Sequence, residues 1–203
     1  MIRYLSVALF CVALLGACTS AASPELHPQL ARASTQEDTV YAAVLDHVFS
    51  QAGLPILLLS DSTRGALPFG IGDTTGLRSF ERMLTEVPPK LIADFQVRNA
   101  SRVPLRVEAI RAVGVQTPVA LITGAERRAA TEDSIGSWVF KQYPGAGTVI
   151  TLSRVGFSPD RRLALLHVIF GCGPRCGGTQ LILAERRADG RWTVSRRQEG
   201  ITF

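Results

Sequence analysis

Apolar residues first recur at helical spacing just after Gln36, where Val40, Tyr41, Val44, Leu45, Val48 and Phe49 share one face. Ser34-Thr35-Gln36-Glu37 precedes them in the pattern of a capping box, and Gly53 with Pro55 stops the helix. A short apolar run over 56–59 has the length of a buried strand, and the glycine-rich stretch 60–76 is expected to be a loop. Residues 77–86 predict a helix with Leu77, Phe80, Met83 and Leu84 inward. Pro88-Pro89 opens another, carrying Leu91, Ile92 and Phe95 to about residue 98. Residues 103–115 and 119–122 are weaker strand or extended candidates. A polar stretch over 126–133 leads into an expected helix over 134–143, with Ile135, Trp138 and Val139 inward and Pro144-Gly145 at its end.

Four strand-like runs follow, over 148–157, 163–170, 179–187 and 192–197. Ser158-Pro159-Asp160-Arg161 joins the first two as a type I turn, and Ala188-Asp189-Gly190 joins the last two as a tight hairpin. Short links between successive strands imply antiparallel neighbours. The run 163–170 is apolar on both faces and is therefore placed centrally. The expected fold class is α+β, with N-terminal helices packed on one face of a C-terminal four-stranded antiparallel meander.

The segment Trp138-x-x-x-x-Tyr143-Pro144, then Leu152-Ser153-Arg154-Val155-Gly156-Phe157, Cys172-x-x-x-Cys176-Gly177 and Gly190-x-Trp192-x-Val194 resembles an uncharacterised family of exported bacterial proteins. Those proteins carry a related Ser-Arg-Val-Gly-Phe-Asn segment and a Cys-Gly-x-x-Cys-Gly loop ahead of a final hairpin. Ser158 stands here where that pattern has Asn. The family has no activity to lend, so the resemblance implies export and no catalytic residue.

The N-terminus changes the picture more than the composition does. Arg3 precedes an apolar run from Tyr4 to Leu15, shorter than the roughly 20 residues a spanning helix needs and of the length of a signal-peptide core. Leu15-Gly16-Ala17-Cys18 resembles the lipobox of bacterial lipoproteins. That resemblance implies cleavage before Cys18, a diacylglycerol on its sulfur and acylation of the new amine. Each buried CH₂ contributes about 0.8 kcal/mol to anchoring. Thr19 follows, without the Asp that would retain the protein at the inner membrane. The expected address is the cell envelope, at the outer membrane facing the periplasm in a Gram-negative cell. The alternative is cleavage near Ser20-Ala21-Ala22, giving a soluble secreted protein. Residues 1–17 are then a signal peptide, 18–35 a lipidated tether and 36–203 one globular domain.

Loss of Arg3 lowers the formal net charge from +5 to +4, a mild excess carried almost wholly by arginine, since Lys90 and Lys141 are the only lysines. Export argues against nucleic acid as a partner. The meander concentrates the positive charge, and Arg186, Arg187, Arg196 and Arg197 are the candidate patch for an anionic envelope lipid or polymer, or for another envelope protein. A charged, solvated sheet face explains the same residues without a partner.

Chemistry is harder to place. Cys172 and Cys176 flank a tight link and in an oxidising compartment most simply form a local disulfide, contributing about 1–2 kcal/mol because the closed loop is small. The redox reading has one residue too many for a Cys-x-x-Cys motif, and a strand follows where a helix should lower the thiol pKa. A metal would need ligands beyond His167, which is expected mid-strand in the core. His47 and Asp46 are expected on the solvent side of the first helix, and His27 in the tether. Gly70-x-Gly72-x-x-x-Gly76 has the wrong spacing for a dinucleotide loop. Asp94, Glu108, Glu126, Glu132 and Asp133 supply carboxylates, but no spacing selects a pair. No catalytic residue, metal ligand or cofactor is nominated. The function expected is that of a non-enzymatic accessory or interaction module of the envelope. The alternative is a small-ligand-binding protein, or an enzyme whose site is assembled from distant residues.

Overall fold

The computed structural model describes residues 35–49, 53–64, 74–126, 141–173 and 176–202. Arg32–Phe203 form one compact unit, distinct from Met1–Ala31. Among the described residues, helices and strands alternate irregularly: α1 (Gln36–Phe49), β1 (Ile56–Ser60), α2 (Thr74–Glu86), α3 (Pro89–Arg98), α4 (Val107–Ala112), β2 (Val119–Ile122), β3 (Ala146–Leu152), β4 (Gly156–Phe157), β5 (Leu163–Gly173), β6 (Cys176–Arg186) and β7 (Trp192–Thr202).

The strands form one mixed sheet in the order β2-β1-β3-β5-β6-β7, with β4 paired to β5 beyond the end of β3. This corrects the four-stranded antiparallel meander backed by helices on one face. β3, β5, β6 and β7 are antiparallel neighbours, but the sheet continues through β1 and β2, and β1 runs parallel to both β2 and β3. Parallel pairing needs a crossover rather than a tight turn, so it leaves no hairpin signal in the sequence. Helices also cover both faces. Ala164, Leu166 and Val168 of β5, with Ile182 and Ala184 of β6, pack in a cluster with Val40, Val44 and Leu45 of α1 and Ile110 of α4. Their alternate neighbours Leu165, Leu181 and Leu183 pack instead with Phe80 and Met83 of α2 and Leu91 and Phe95 of α3. The two-residue period of a strand thus divides one apolar run between two cores.

Several boundaries move for local reasons. The N-cap of α1 is Thr35 rather than Ser34. The Thr35 amide donates to Asp38 Oδ2 (2.6 Å) while the Asp38 amide donates to Thr35 Oγ1 (3.3 Å), a reciprocal box one residue later than the sequence pattern suggested. Glu37 is thereby released for another task. Helix α2 begins at Thr74, inside the stretch expected to be a loop, and α4 stands within the 103–115 strand candidate. The expected 148–157 strand breaks at Ser153, separating β3 from β4. The helix expected over 134–143 lies mostly outside the described residues. No helix among the described residues is long and apolar enough to cross a membrane.

Candidate functional site

Two polar assemblies stand out, and their chemistry differs. The first surrounds the break between β3 and β4, in the Ser153-Arg154-Val155-Gly156-Phe157 segment. At Ser153 the side chain takes over a ladder position: its Oγ accepts from the His167 amide (2.9 Å), while the Ser153 amide donates to the His167 carbonyl (2.9 Å). The Ser153 carbonyl turns away and accepts from the Tyr41 hydroxyl of α1 (3.0 Å). Asn99, at the end of α3, holds both backbone groups of Arg154. Its Oδ1 accepts from the amide (2.7 Å) and its Nδ2 donates to the carbonyl (3.0 Å). The Val155 amide donates to Glu37 Oε1 (2.9 Å) and the Phe157 amide to Asp94 Oδ2 (2.7 Å). The Ser153 amide keeps a backbone acceptor, and the other groups freed where the strand breaks find side-chain partners.

Charge completes the clamp. Glu37 Oε2 meets Arg154 at 3.4 Å and Arg98 at 4.0 Å, and Arg98 also donates to Asp94 (2.9 Å). The guanidinium groups of Arg98 and Arg161 lie over the Phe157 ring, at 5.3 and 4.9 Å from its centroid. Burial, and then the Glu37 carboxylate that accepts its proton, push the Tyr41 phenol well above its ordinary pKa, so it stays a donor. Gly156 faces α3 so closely that a Cβ there would stand 2.5 Å from Phe95 Cβ and 2.6 Å from its Cα. Only glycine fits without moving backbone. Most of the clamp's polar atoms are spent on the chain itself, though Arg154 Nε is buried without a hydrogen-bond partner among the described residues.

The second assembly is a groove of about 450 Å³ between α2 and β7, lined by Arg82, Met83, Glu86, Arg196, Arg197 and Gln198. The Met83 amide donates to Gln198 Oε1 (3.0 Å) and ties the two elements together. Arg196 and Glu86 form an ion pair across the groove, and Arg197 pairs with Glu199 (2.7 Å). No ion pair reaches Arg82 among the described residues. A bulge in β7 sets this up. Ala184 pairs with Val194 but Leu183 pairs with Arg196, so Ser195 is the extra residue. The inserted residue shifts the phase by one, which puts Arg196 and Gln198 on the α2 face instead of the α1 face. Arg82 and Arg196 against Glu86 leave the lining positive, while Arg197, opposite Ile182, is on the α1 side of β7.

The four arginines of the sequence patch do not gather in one place. Arg196 faces the groove, whereas Arg197, paired with Ile182, is on the α1 side of the strand. Arg186 donates from Nε to the Gly190 carbonyl (3.2 Å) at the β6–β7 turn, and the Arg187 amide donates to the Arg191 carbonyl (2.8 Å) in the same turn. Arg82 was missed. Its only sequence signal is its place on the polar face of α2 one turn before Glu86, which many solvent-facing helices share. His167 lies buried with its ring edge-on to Phe80 (5.6 Å between centroids). Asp94 serves the clamp, Glu108 pairs with Arg111 (2.8 Å), and Glu126 accepts from the Thr123 amide (2.7 Å). Glu132, Asp133 and Cys18 lie outside the described residues, as does the side chain of Cys172. Cys176 begins β6 opposite Gly173. No cluster of three His, Cys, Asp or Glu that would hold a metal ion occurs among the described residues. No protein-family model, curated protein or solved structure matches the chain.

Proposed function

We propose that this chain is a lipid-anchored, non-enzymatic interaction module of the bacterial envelope that binds an anionic partner in the groove between α2 and β7. The observation that carries the reading is the meeting of Arg82 of α2 with Arg196 of β7, from distant parts of the chain, along one groove. Guanidinium forks suit phosphate and carboxylate oxygens, and a concave setting strengthens their field. The other polar assembly leaves little room for catalysis, because the clamp is largely occupied with its own backbone.

The anchor and the groove are tested separately. Intact mass of protein purified from membranes should match cleavage before Cys18 plus acyl chains, with Cys172 and Cys176 alkylated only after reduction. An unlipidated mass with freely alkylated thiols would remove both the anchor and the proposed disulfide. For the groove, a Cys18→Ser form avoids membrane attachment through lipid. It should float with vesicles of phosphatidylglycerol in phosphatidylcholine, and salt should weaken the association. Replacing Arg82 and Arg196 together by Gln should lower affinity about tenfold or more, at roughly 1 kcal/mol for each near-surface contact. Unchanged flotation of that double variant would discard the groove as the binding surface.

A further inference from the structure

The sheet ends at β7, which pairs with β6 on one side, and among the described residues no strand lies beyond it. Ser195, Arg196, Arg197 and Glu199 are exposed along it. An edge strand turns half of its N–H and C=O groups outward, where another strand can pair with them. We propose that β7 is a dimerisation edge. Residues 196–200 pair antiparallel with the same residues of a second copy, about a two-fold axis through Gln198, and join two sheets into one. The dimer goes beyond the groove reading and stands whatever the groove binds.

The backbone sets the limits of the pairing. Ser195 is the extra residue between Ala184↔Val194 and Leu183↔Arg196. At the other end, Gly200 and Ile201 stand opposite Thr179 alone, between Gln180↔Glu199 and Gly178↔Thr202. An axis through Gln198 sets Ser195 opposite Ile201, so the two bulges face each other and regular strand meets regular strand. Between the bulges, Arg197 and Glu199 pair with Ile182 and Gln180 and share the α1 face, while Arg196 and Gln198 share the α2 face. Residues directly opposite in an antiparallel pair lie on one face, and a two-fold axis normal to the sheet keeps each face with itself. The axis therefore passes through a residue and not between two.

Charge selects the residue. An axis through Arg196, Arg197 or Glu199 puts that charge opposite its own copy, which is destabilising. An axis through Gln198 puts Arg197 opposite Glu199 of the second copy, twice, and sets an uncharged side chain against itself. Arg196 then falls opposite Gly200, which has no side chain to disturb the ion pair with Glu86. Within one copy Arg197 pairs with Glu199 (2.7 Å), and both are exposed, so little is lost when each turns to the other copy. Charges on an edge strand discourage pairing with most strands. Here they exclude the neighbouring registers and admit this one.

The test uses full-length protein carrying Cys18→Ser, so that no lipid draws two copies into one micelle, in sedimentation velocity from micromolar to near-millimolar concentration. An intact edge should give a monomer–dimer equilibrium within that range. Arg197→Glu and Glu199→Arg should each weaken the dimer about tenfold or more, because two opposite-charge pairs become like-charge pairs. The two together reverse both signs and should restore the dimer, which a folding defect would not do. Under mild oxidation Gln198→Cys should link to itself, since opposed Cα atoms of adjacent strands lie within disulfide reach. Arg197→Cys mixed with Glu199→Cys should crosslink where either alone does not. A monomer throughout the range, or a dimer indifferent to both charge reversals, overturns the proposal. So does a double reversal that stays as weak as the single ones. Arg197→Cys that crosslinks equally well alone would move the axis off Gln198 and overturn the register.

Discussion

Glu37→Ala should lower the free energy of unfolding by about 3–5 kcal/mol, the range for removing one member of a largely buried ion pair. The Glu37 side chain is 17% exposed, and its two oxygens do four jobs. Oε1 accepts from the Val155 amide and the Tyr41 hydroxyl, and Oε2 faces Arg154 and Arg98. Alanine leaves a buried amide without an acceptor and two guanidinium groups without their shared carboxylate. Each such loss exposes the full desolvation penalty of the abandoned group. Glu37→Gln should cost clearly less, since its side-chain carbonyl still accepts from the Val155 amide while the charge is gone. Urea denaturation followed by tryptophan fluorescence gives both values, with Trp192 buried in the α1-side core as a reporter. A Glu37→Ala loss below about 1 kcal/mol would mean that the clamp does not hold the strand break.

Acid should destabilise the protein through His167. Burial, and secondarily the nearby positive charge of Arg64, lower its folded-state pKa to about 4, from about 6.5 in the unfolded chain. The folded protein therefore holds a neutral imidazole where the unfolded chain takes up a proton. Stability from this group is fully present above about pH 6.5, falls as pH drops through the window from 6.5 to 4, and levels off below. At about 1.4 kcal/mol for each pKa unit, a shift of about 2.5 units gives a total loss of about 3–4 kcal/mol. His167→Leu keeps an apolar side chain beside Phe80 and Leu165 and has no proton to take up. Its unfolding free energy should be flatter across this window by up to one proton's slope. Equal slopes for wild type and variant between pH 6.5 and 4 would show that other groups carry the acid response.

The two assemblies were unequally legible in the chain. The Ser153–Phe157 stretch stood out as a motif, yet its role depends on Glu37, Asp94 and Asn99, which lie 118, 63 and 55 residues from their backbone partners. Glu37 even carried a misleading local signal, since it completes a capping-box spacing that Asp38 in fact fills. The groove was half visible. Arg196 and Arg197 were prominent, but a single bulge residue decides which of them faces α2, and Arg82 meets Arg196 only because α2 packs beside β7.

What the sequence determined by itself was local: the apolar periodicity of α1 and α3, the hairpin turn at Asp189-Gly190, and the double-sided apolar run that makes β5 central. Such features follow from interactions between residues a few positions apart, where spacing alone fixes which side chains can meet. The tertiary structure decided that the sheet is mixed, that helices cover both faces, and that cations from α2 and β7 share a groove. Parallel pairing and helix placement minimise exposed apolar area over the whole chain. That sum has no signature in any short window, so only the folded arrangement reveals it.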